Sequence, residues 1–406
     1  MAEPQRQVTI PSLSIEQTPN RTRETKVLVY ADSAVFSGAE SLLCELVESL
    51  DEDRRFSFAV ATPEVNQELT ARLGAVASPG DRFLVPAQKL PLAALHLYNL
   101  GGLRAARKVL RGSEPDVVLL NLPSAEYGST LLLANRLPGV PVVGLMHISG
   151  TMAELGFRLG SIRTALARRA LSRLDRVLLL SEAARRSYPV RWGSKSTSTD
   201  VIRMPEPRVS LTDRFAARKK LGLPGNKTVI GTVGRISVKQ KGQDIFVSAA
   251  KRLVDRHDDL VFTVVGEGRD EEFVRKLVAK AGLQKKFFFT GQVPDVGIAL
   301  SAIDLIAIPS RFEGLPLIAL EALAAGVPGV ASSVDGLCDV WPADWRVDPD
   351  DPIGLADSLA RLLEGSIDER ERLIESGREM MTDRTASDAA SRIATNLELA
   401  VSHAQL

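Results

Sequence analysis

Cysteine is scarce in this chain of 406 residues. Cys44 and Cys338 lie far apart and match no metal-ligand spacing. That rules out a disulfide scaffold and points to a reducing, cytoplasmic setting. No uninterrupted apolar run approaches the length needed to span a bilayer. Residues 1–24 are polar, carry Pro4, Pro11 and Pro19, and have no apolar core. They read as a disordered tail, neither signal peptide nor span. Neither sign of charge is in excess, with 51 Lys and Arg against 50 Asp and Glu. A dominant nucleic-acid role needs a strong basic excess and is excluded on that ground. There is no low-complexity segment and no short repeat.

What is present is a long alternation. Lys26–Tyr30, Ser57–Ala61, Val117–Leu120, Val140–Leu145, Val177–Leu180 and Val201–Ile202 read as short apolar strands separated by helices. Continuous apolar strands alternating with helices predict a parallel sheet covered on both faces. Met204-Pro205-Glu206-Pro207 breaks the pattern and reads as an interdomain linker. A second series follows at Val229–Val233, Val261–Val265, Phe287–Phe289, Asp304–Ile308 and Gly329–Ala331. Ile245, Phe246, Ala249, Ala250, Leu253 and Val254 form one apolar stripe on an intervening helix. After Asp350 the chain reads as helical, ending in Thr385–Ala400. The expectation is an α/β protein of two Rossmann-like domains, 25–205 and 206–384, facing across a cleft. Segment 385–406 would cross back to the first domain. Ligands of such sheets sit beyond the carboxyl ends of the strands, so the loops there should carry the chemistry.

The densest of those loops lies between Asp304 and Val334. A strand at Leu305–Ile308 ends at Pro309-Ser310, Glu313-Gly314-Leu315-Pro316 forms a loop, and a helix runs from Leu317 to Ala325 with Gly326 as its left-handed stop. The unpaired N–H groups opening this helix suit a phosphate. Glu313 before it and Glu321 in its second turn offer acceptors to hydroxyl groups. Phosphate together with several hydroxyls describes a sugar nucleotide.

Ser310, Phe312-Glu313-Gly314, Glu321-Ala322, Gly326 and Pro328, in that order, resemble the signature of the family 4 retaining glycosyltransferases, which have the GT-B fold. The resemblance is sharp over 229–340 and covers most of 26–400. It implies a glycosyltransferase that moves a sugar from a nucleotide-diphosphate donor to an acceptor hydroxyl of a glycan, a lipid-linked sugar or a secondary metabolite. It implies no cofactor and no metal. A non-catalytic sugar-nucleotide-binding partner subunit is the alternative.

The resemblance also assigns roles. Gly234-Arg235 and Lys241 would hold the diphosphate, Arg by bidentate bonding and Lys as a point charge. The family places its Lys five residues after the Arg. Here Lys241 is six after, and Lys239 is a competitor. The Gly314, Leu315 and Pro316 backbone, beside Ser310 and Phe312, would meet phosphate or sugar. Glu313 would bind sugar hydroxyls and Glu321 the ribose. Gly38, in Ser37-Gly38-Ala39-Glu40, and His147 would complete the cleft from the first domain. Ser181-Glu182-Ala183-Ala184-Arg185 looks like a family segment but reads equally as a helix cap. Gly266-Glu267-Gly268 is too incomplete for a dinucleotide fingerprint. Asp348-Pro349-Asp350 reads as a turn and cap rather than a metal site. Glu154–Arg176, with six arginines among apolar residues, reads as a basic amphipathic helix able to make weak peripheral membrane contact, or as a solvated face.

Overall fold

A computed structural model describes residues 24–88, 100–134, 139–193, 197–382 and 384–405. The tail expected over residues 1–24 lies outside them except for Glu24. Two parallel sheets organise the chain. The first orders its strands β3-β2-β1-β4-β5-β6-β7, where β1 is Thr25–Tyr30, β2 Phe56–Thr62, β3 Arg82–Leu84, β4 Val117–Leu122, β5 Val142–Met146, β6 Arg176–Leu179 and β7 Ser198–Val201. The second runs β10-β9-β8-β11-β12-β13, where β8 is Thr228–Val233, β9 Leu260–Val265, β10 Phe287–Gly291, β11 Leu305–Ile308, β12 Gly329–Ser332 and β13 Arg346–Val347. Every strand pair in both sheets is parallel.

The apolar runs become the central strands because helices cover both faces. All six residues of β4 and all six of β9 are buried. In the second sheet Phe246, Phe262 and Phe287 pack edge-to-face and stacked, with centroids 5.1–5.8 Å apart. Such aromatic pairs add about 1 kcal/mol each beyond their buried area. The strands not foreseen from sequence, β3 and β13, each lie at one edge of their sheet, short and without a full apolar run. β7 precedes its expected position, ending at Val201.

The helix Ala386–Ala404 packs on the first sheet and on the helix Gly38–Asp51 through buried Ile393, Leu397 and Val401. Its polar side is tied to the same domain: Asn396 accepts from Arg176 at 2.8 Å and donates to Asp200 at 2.9 Å. The chain therefore traverses the second sheet and returns to the first.

The expected basic helix over Glu154–Arg176 is corrected. Only Gly160–Leu171 is helical, because Leu159 takes a left-handed conformation at its start and β6 begins at Arg176. Four of the segment's six arginines are tied to the protein, while Arg158 and Arg169 are exposed. Arg163 pairs with Glu126, Arg168 donates to the Arg191 carbonyl, Arg173 to the Leu132 carbonyl and Arg176 to Asn396. The six arginines therefore do not share one helical face. No helix among the described residues is long and apolar enough to cross a membrane.

Candidate functional site

Each sheet reverses its strand order once, between β1 and β4 in the first and between β8 and β11 in the second. The carboxyl ends at such a reversal leave a crevice between diverging loops. Four loops follow those strands. They carry Asp32 to Gly38, Pro123 to Gly128, Gly234 to Lys241, and Pro309 to Pro316. The two crevices face one another, and most of the residues expected from sequence lie in them.

Glu313 is the centre. It is 5% exposed, and its Oε1 accepts from Lys241 Nζ at 2.6 Å and from Ser310 Oγ at 2.7 Å. The rival cations are thus separated by the fold. Lys241 turns into the site. Lys239 crosses to the other lobe, where its ammonium donates to the Gly156 carbonyl and lies 4.9 Å from the centre of the Phe157 ring. Arg235 is exposed, with Nη2 donating to Gln240 at 3.1 Å. It stands close enough to the Tyr127 phenol, across the cleft, to act on it electrostatically. Gly234 precedes it with φ of 135°, within reach of the Lys241 side chain.

The Leu317–Ala324 helix starts at Pro316, which is the cap residue rather than the first helical one. Its first turn therefore begins at Leu317. Gly38, first residue of its own helix, sits with its α-carbon face toward the Leu317 side chain. Two helix amino-termini, one from each lobe, so converge on the crevice, and both favour an anionic group there. Phe312 packs into the apolar core of the first domain, and Leu315 is buried.

Gly314 touches the first domain most intimately. A β-carbon there would overlap the His147 carbonyl oxygen. His147 follows β5, is 7% exposed, and shares a 2.8 Å hydrogen bond with Asn121 through Nε2. Burial drives its pKa down to about 3, so the imidazole is neutral near physiological pH.

Glu321 has its pKa raised to about 7, first by burial, then by Glu45 and Asp295. Glu45 belongs to the Gly38–Asp51 helix of the other lobe. A carboxyl held in this way, with other carboxylates as the only charges shifting it among the described residues, is suited to diol hydrogen bonds.

Three expected features are structural. Ser181 caps the Glu182–Trp192 helix by accepting from Ala184 N at 3.0 Å, and Glu182 pairs with Arg185. Any side chain at Gly266 or Gly268 would strike the carbonyls of Gly234 or Ile236, so this loop buttresses the Arg235 loop. Asp350 pairs with Arg311 at 2.6 Å and Asp351 caps the Pro352–Glu364 helix. No group of three or more His, Cys, Asp or Glu able to hold a metal occurs among the described residues.

The fold also brings in residues that sequence reading did not single out. Asp32, directly after β1, is buried and accepts from Gly128 N with both oxygens at 3.1–3.2 Å. Glu40 turns back to accept from Ser37 N and Oγ. Asn121 is the penultimate residue of β4, and Tyr127 lies in the loop after it. Position just beyond a strand end, the rule that found His147, would have found Asp32 as well. Burial raises Asp32 from 3.8 to about 7, opposed by the Gly128 hydrogen bonds. A folded pKa above the unfolded one means a contribution to stability that is complete below about 3.8 and lost as pH rises through about 7. Asp32→Asn removes the cost of ionisation. Its melting temperature relative to the native chain is expected to climb by about 3 °C between pH 5.5 and 8.5. A difference that does not vary with pH across that range would contradict the assignment.

A cavity of about 880 Å³ lies elsewhere, at the amino ends of β11 and β12, lined by Leu211, Asp304, Val327 and Arg378 among others. It contains none of the residues above and lies opposite to where ligands of such sheets bind.

Known proteins resemble both halves of the chain. Residues 37–205 match the family described as "Glycosyl transferase 4-like domain", and residues 213–380 match "Glycosyl transferases group 1". A 2-deoxystreptamine glucosyltransferase of Streptomyces kanamyceticus is 34% identical over 51% of this chain and 56% of its own length. A 2-deoxystreptamine N-acetyl-D-glucosaminyltransferase of Streptomyces fradiae is 30% identical over 64% of this chain and 67% of its own. A phosphatidyl-myo-inositol mannosyltransferase of Mycobacterium leprae is 28% identical over 71% and 74%. The chain thus spans little more than half the length of the first of these relatives. Among solved structures, Anabaena Alr3699/HepE in complex with UDP-glucose superposes with a TM-score of 0.75 at 19% identity, over 93% of this chain and all of that one. The sucrose-phosphate synthase of Thermosynechococcus elongatus gives 0.74 at 19%, over 94% of this chain and all of that one. These likenesses establish the two-lobed GT-B fold.

Proposed function

The chain belongs to the group 1 glycosyltransferases that carry a glycosyltransferase 4-like first domain, and from that premise we propose that it transfers a sugar from a nucleotide-diphosphate donor to an acceptor hydroxyl with retention at the anomeric carbon. The observation that carries the reading is the buried Lys241–Glu313–Ser310 cluster, set between two helix amino-termini and beside Arg235.

The chemistry follows from charge. As the sugar leaves, negative charge grows on the diphosphate. Arg235, Lys241 and the N–H groups opening the Leu317–Ala324 helix are fixed in advance where that charge develops, which is worth most in a site shielded from water. Glu313 and Glu321 accept from sugar and ribose hydroxyls. The leaving phosphate can take the acceptor's proton, so a protein base is not needed. His147, neutral at working pH, serves as a hydrogen-bonding group rather than a charged one. In this reading the chain requires no cofactor.

The acceptor side is the wall formed by Asp32, Tyr127 and the loops of the first domain. The acceptors named for the relatives, 2-deoxystreptamine and phosphatidyl-myo-inositol, are both polyhydroxylated rings. A compact polyol or its lipid-linked form is the acceptor class this supports. Hydrolysis of UDP-, GDP-, ADP- and TDP-sugars, followed by NMR of the product anomer with a polyol acceptor, tests the proposal. Turnover of one donor with a retained anomer is expected. Binding of a donor without turnover of any would leave the partner-subunit reading, failure of every donor to bind would remove both readings, and an inverted product would remove the retaining mechanism.

A further inference from the structure

We propose that Asn121 is a positioning residue for this transfer: it locks His147 into one tautomer, and its own free amide N–H joins the His147 ring in selecting a hydroxyl of the transferred sugar. The inference rests on the glycosyltransferase reading above and deepens it.

The argument starts from a hydrogen bond that fixes proton positions. Asn121 Oδ1 lies 2.8 Å from His147 Nε2. An amide oxygen has no proton to give, so Nε2 carries the hydrogen and Nδ1 keeps a lone pair. Burial alone accounts for the neutrality of the ring; no neighbouring charge contributes. Nδ1 makes no hydrogen bond among the described residues and is therefore an acceptor left open. The tautomer follows from Asn121 and not from the histidine's exposure to solvent.

Asn121 itself is incomplete. It is fully buried, its Nδ2 has no hydrogen-bond partner among the described residues, and it sits at the carboxyl end of β4. A buried amide donor without a partner is costly, and such groups are rare in folded proteins. Its register pins the location. Asn121 pairs with Leu145 and Leu122 with Met146, and His147 N donates to the Leu122 carbonyl at 3.0 Å. The two side chains therefore stand side by side at the ends of adjacent strands, in the first lobe's crevice. The His147 carbonyl meets Gly314, next to Glu313. One free donor and one free acceptor, held together beside the loop expected to grip the sugar, are complementary to a hydroxyl group, which is donor and acceptor at once.

The competing account makes Asn121 a filler that satisfies His147 and nothing else. It predicts that an isosteric change matters only through stability. Asn121→Asp separates the two. The carboxylate keeps the bond to Nε2 but supplies no N–H, and it favours the imidazolium, whose Nδ1 is a donor rather than an acceptor. Binding of the free nucleoside diphosphate should match the native chain, since its groups lie on the other lobe. The intact nucleotide sugar should bind roughly tenfold more weakly, the scale of one lost hydrogen bond of this kind. The rate of Asn121→Asp, taken relative to the native chain at each pH, should fall as pH drops through the raised histidine pKa and recover in base.

Asn121→Ala, which loses both groups, should show the same loss of preference for nucleotide sugar over nucleotide without the new pH limb. A folded variant of either kind that keeps the native sugar-to-nucleotide affinity ratio overturns the proposal. So does an Asn121→Asp pH profile that superposes on the native one. If the native chain itself fails to distinguish a nucleotide sugar from its nucleotide, the underlying reading fails before the variants are considered.

Discussion

Replacing Glu313 with Ala is expected to abolish sugar transfer and to cost stability as well. The carboxylate is nearly sealed from solvent and is the shared partner of Lys241 and Ser310. Removing one member of a buried ion pair leaves the other charge uncompensated, a loss of about 3 kcal/mol for well-buried pairs. Here Lys241 keeps about a fifth of its side chain exposed, so water recovers part of that. The catalytic loss has a separate cause. Without Glu313 nothing holds the Lys241 ammonium against the site, and loss of one preorganised electrostatic group typically costs about 100- to 1,000-fold in rate. Glu313→Gln keeps the size and the hydrogen bond from Ser310 but not the charge. It should melt closer to the native chain while losing comparable activity. Steady-state rates and melting curves on both variants check this. Retention by Glu313→Ala of more than a tenth of the native rate would remove Glu313 from the site.

Gly314→Ala should be as damaging, through geometry alone. The added methyl would occupy the space of the His147 carbonyl oxygen, and the Gly314 carbonyl is itself pressed against Gly336. The loop has no room to retreat, so the lobes must separate. Displacing reacting groups by about 1 Å can cost about 100-fold in rate. The diphosphate-binding groups Arg235 and Lys241 belong to one lobe, so the nucleoside diphosphate should bind almost normally. The expected signature is a collapsed rate with nucleotide affinity within a fewfold of native, read by calorimetry alongside turnover. A Gly314→Ala protein of native activity would mean that the lobes work further apart than they stand here.

The strands, their parallel pairing and the central unit around Glu313 were legible in the sequence because they rest on local physics. Apolar runs long enough for a strand, a proline before a helix and a glycine after one act over a few residues. Gly326 does end its helix in the left-handed conformation, with φ of 71°. The edges β3 and β13 were not legible, since Arg82–Leu84 and Arg346–Val347 form strands only because a neighbouring strand offers its free edge. The segment Glu154–Arg176 misled for a related reason. Its arginines have the spacing of a surface helix, yet four of the six meet partners, Glu126, Arg191, Leu132 and Asn396, from four other places in the chain.

By itself, then, the sequence determined the two-sheet architecture, the family signature and the positions of Glu313, Glu321, Arg235 and Lys241, all of which depend on residue type and short-range order. Only the tertiary structure decided which lysine meets Glu313, that the carbonyl of His147 abuts Gly314, and that Asp32, Tyr127 and Asn121 share the crevice. Those outcomes depend on contacts between residues tens to hundreds of positions apart. The Lys241–Glu313, Asp32–Gly128 and Asn121–His147 contacts are set by strand order within one sheet, the Lys239–Gly156 and Gly314–His147 contacts by how the two sheets dock, and no local pattern of residues encodes either.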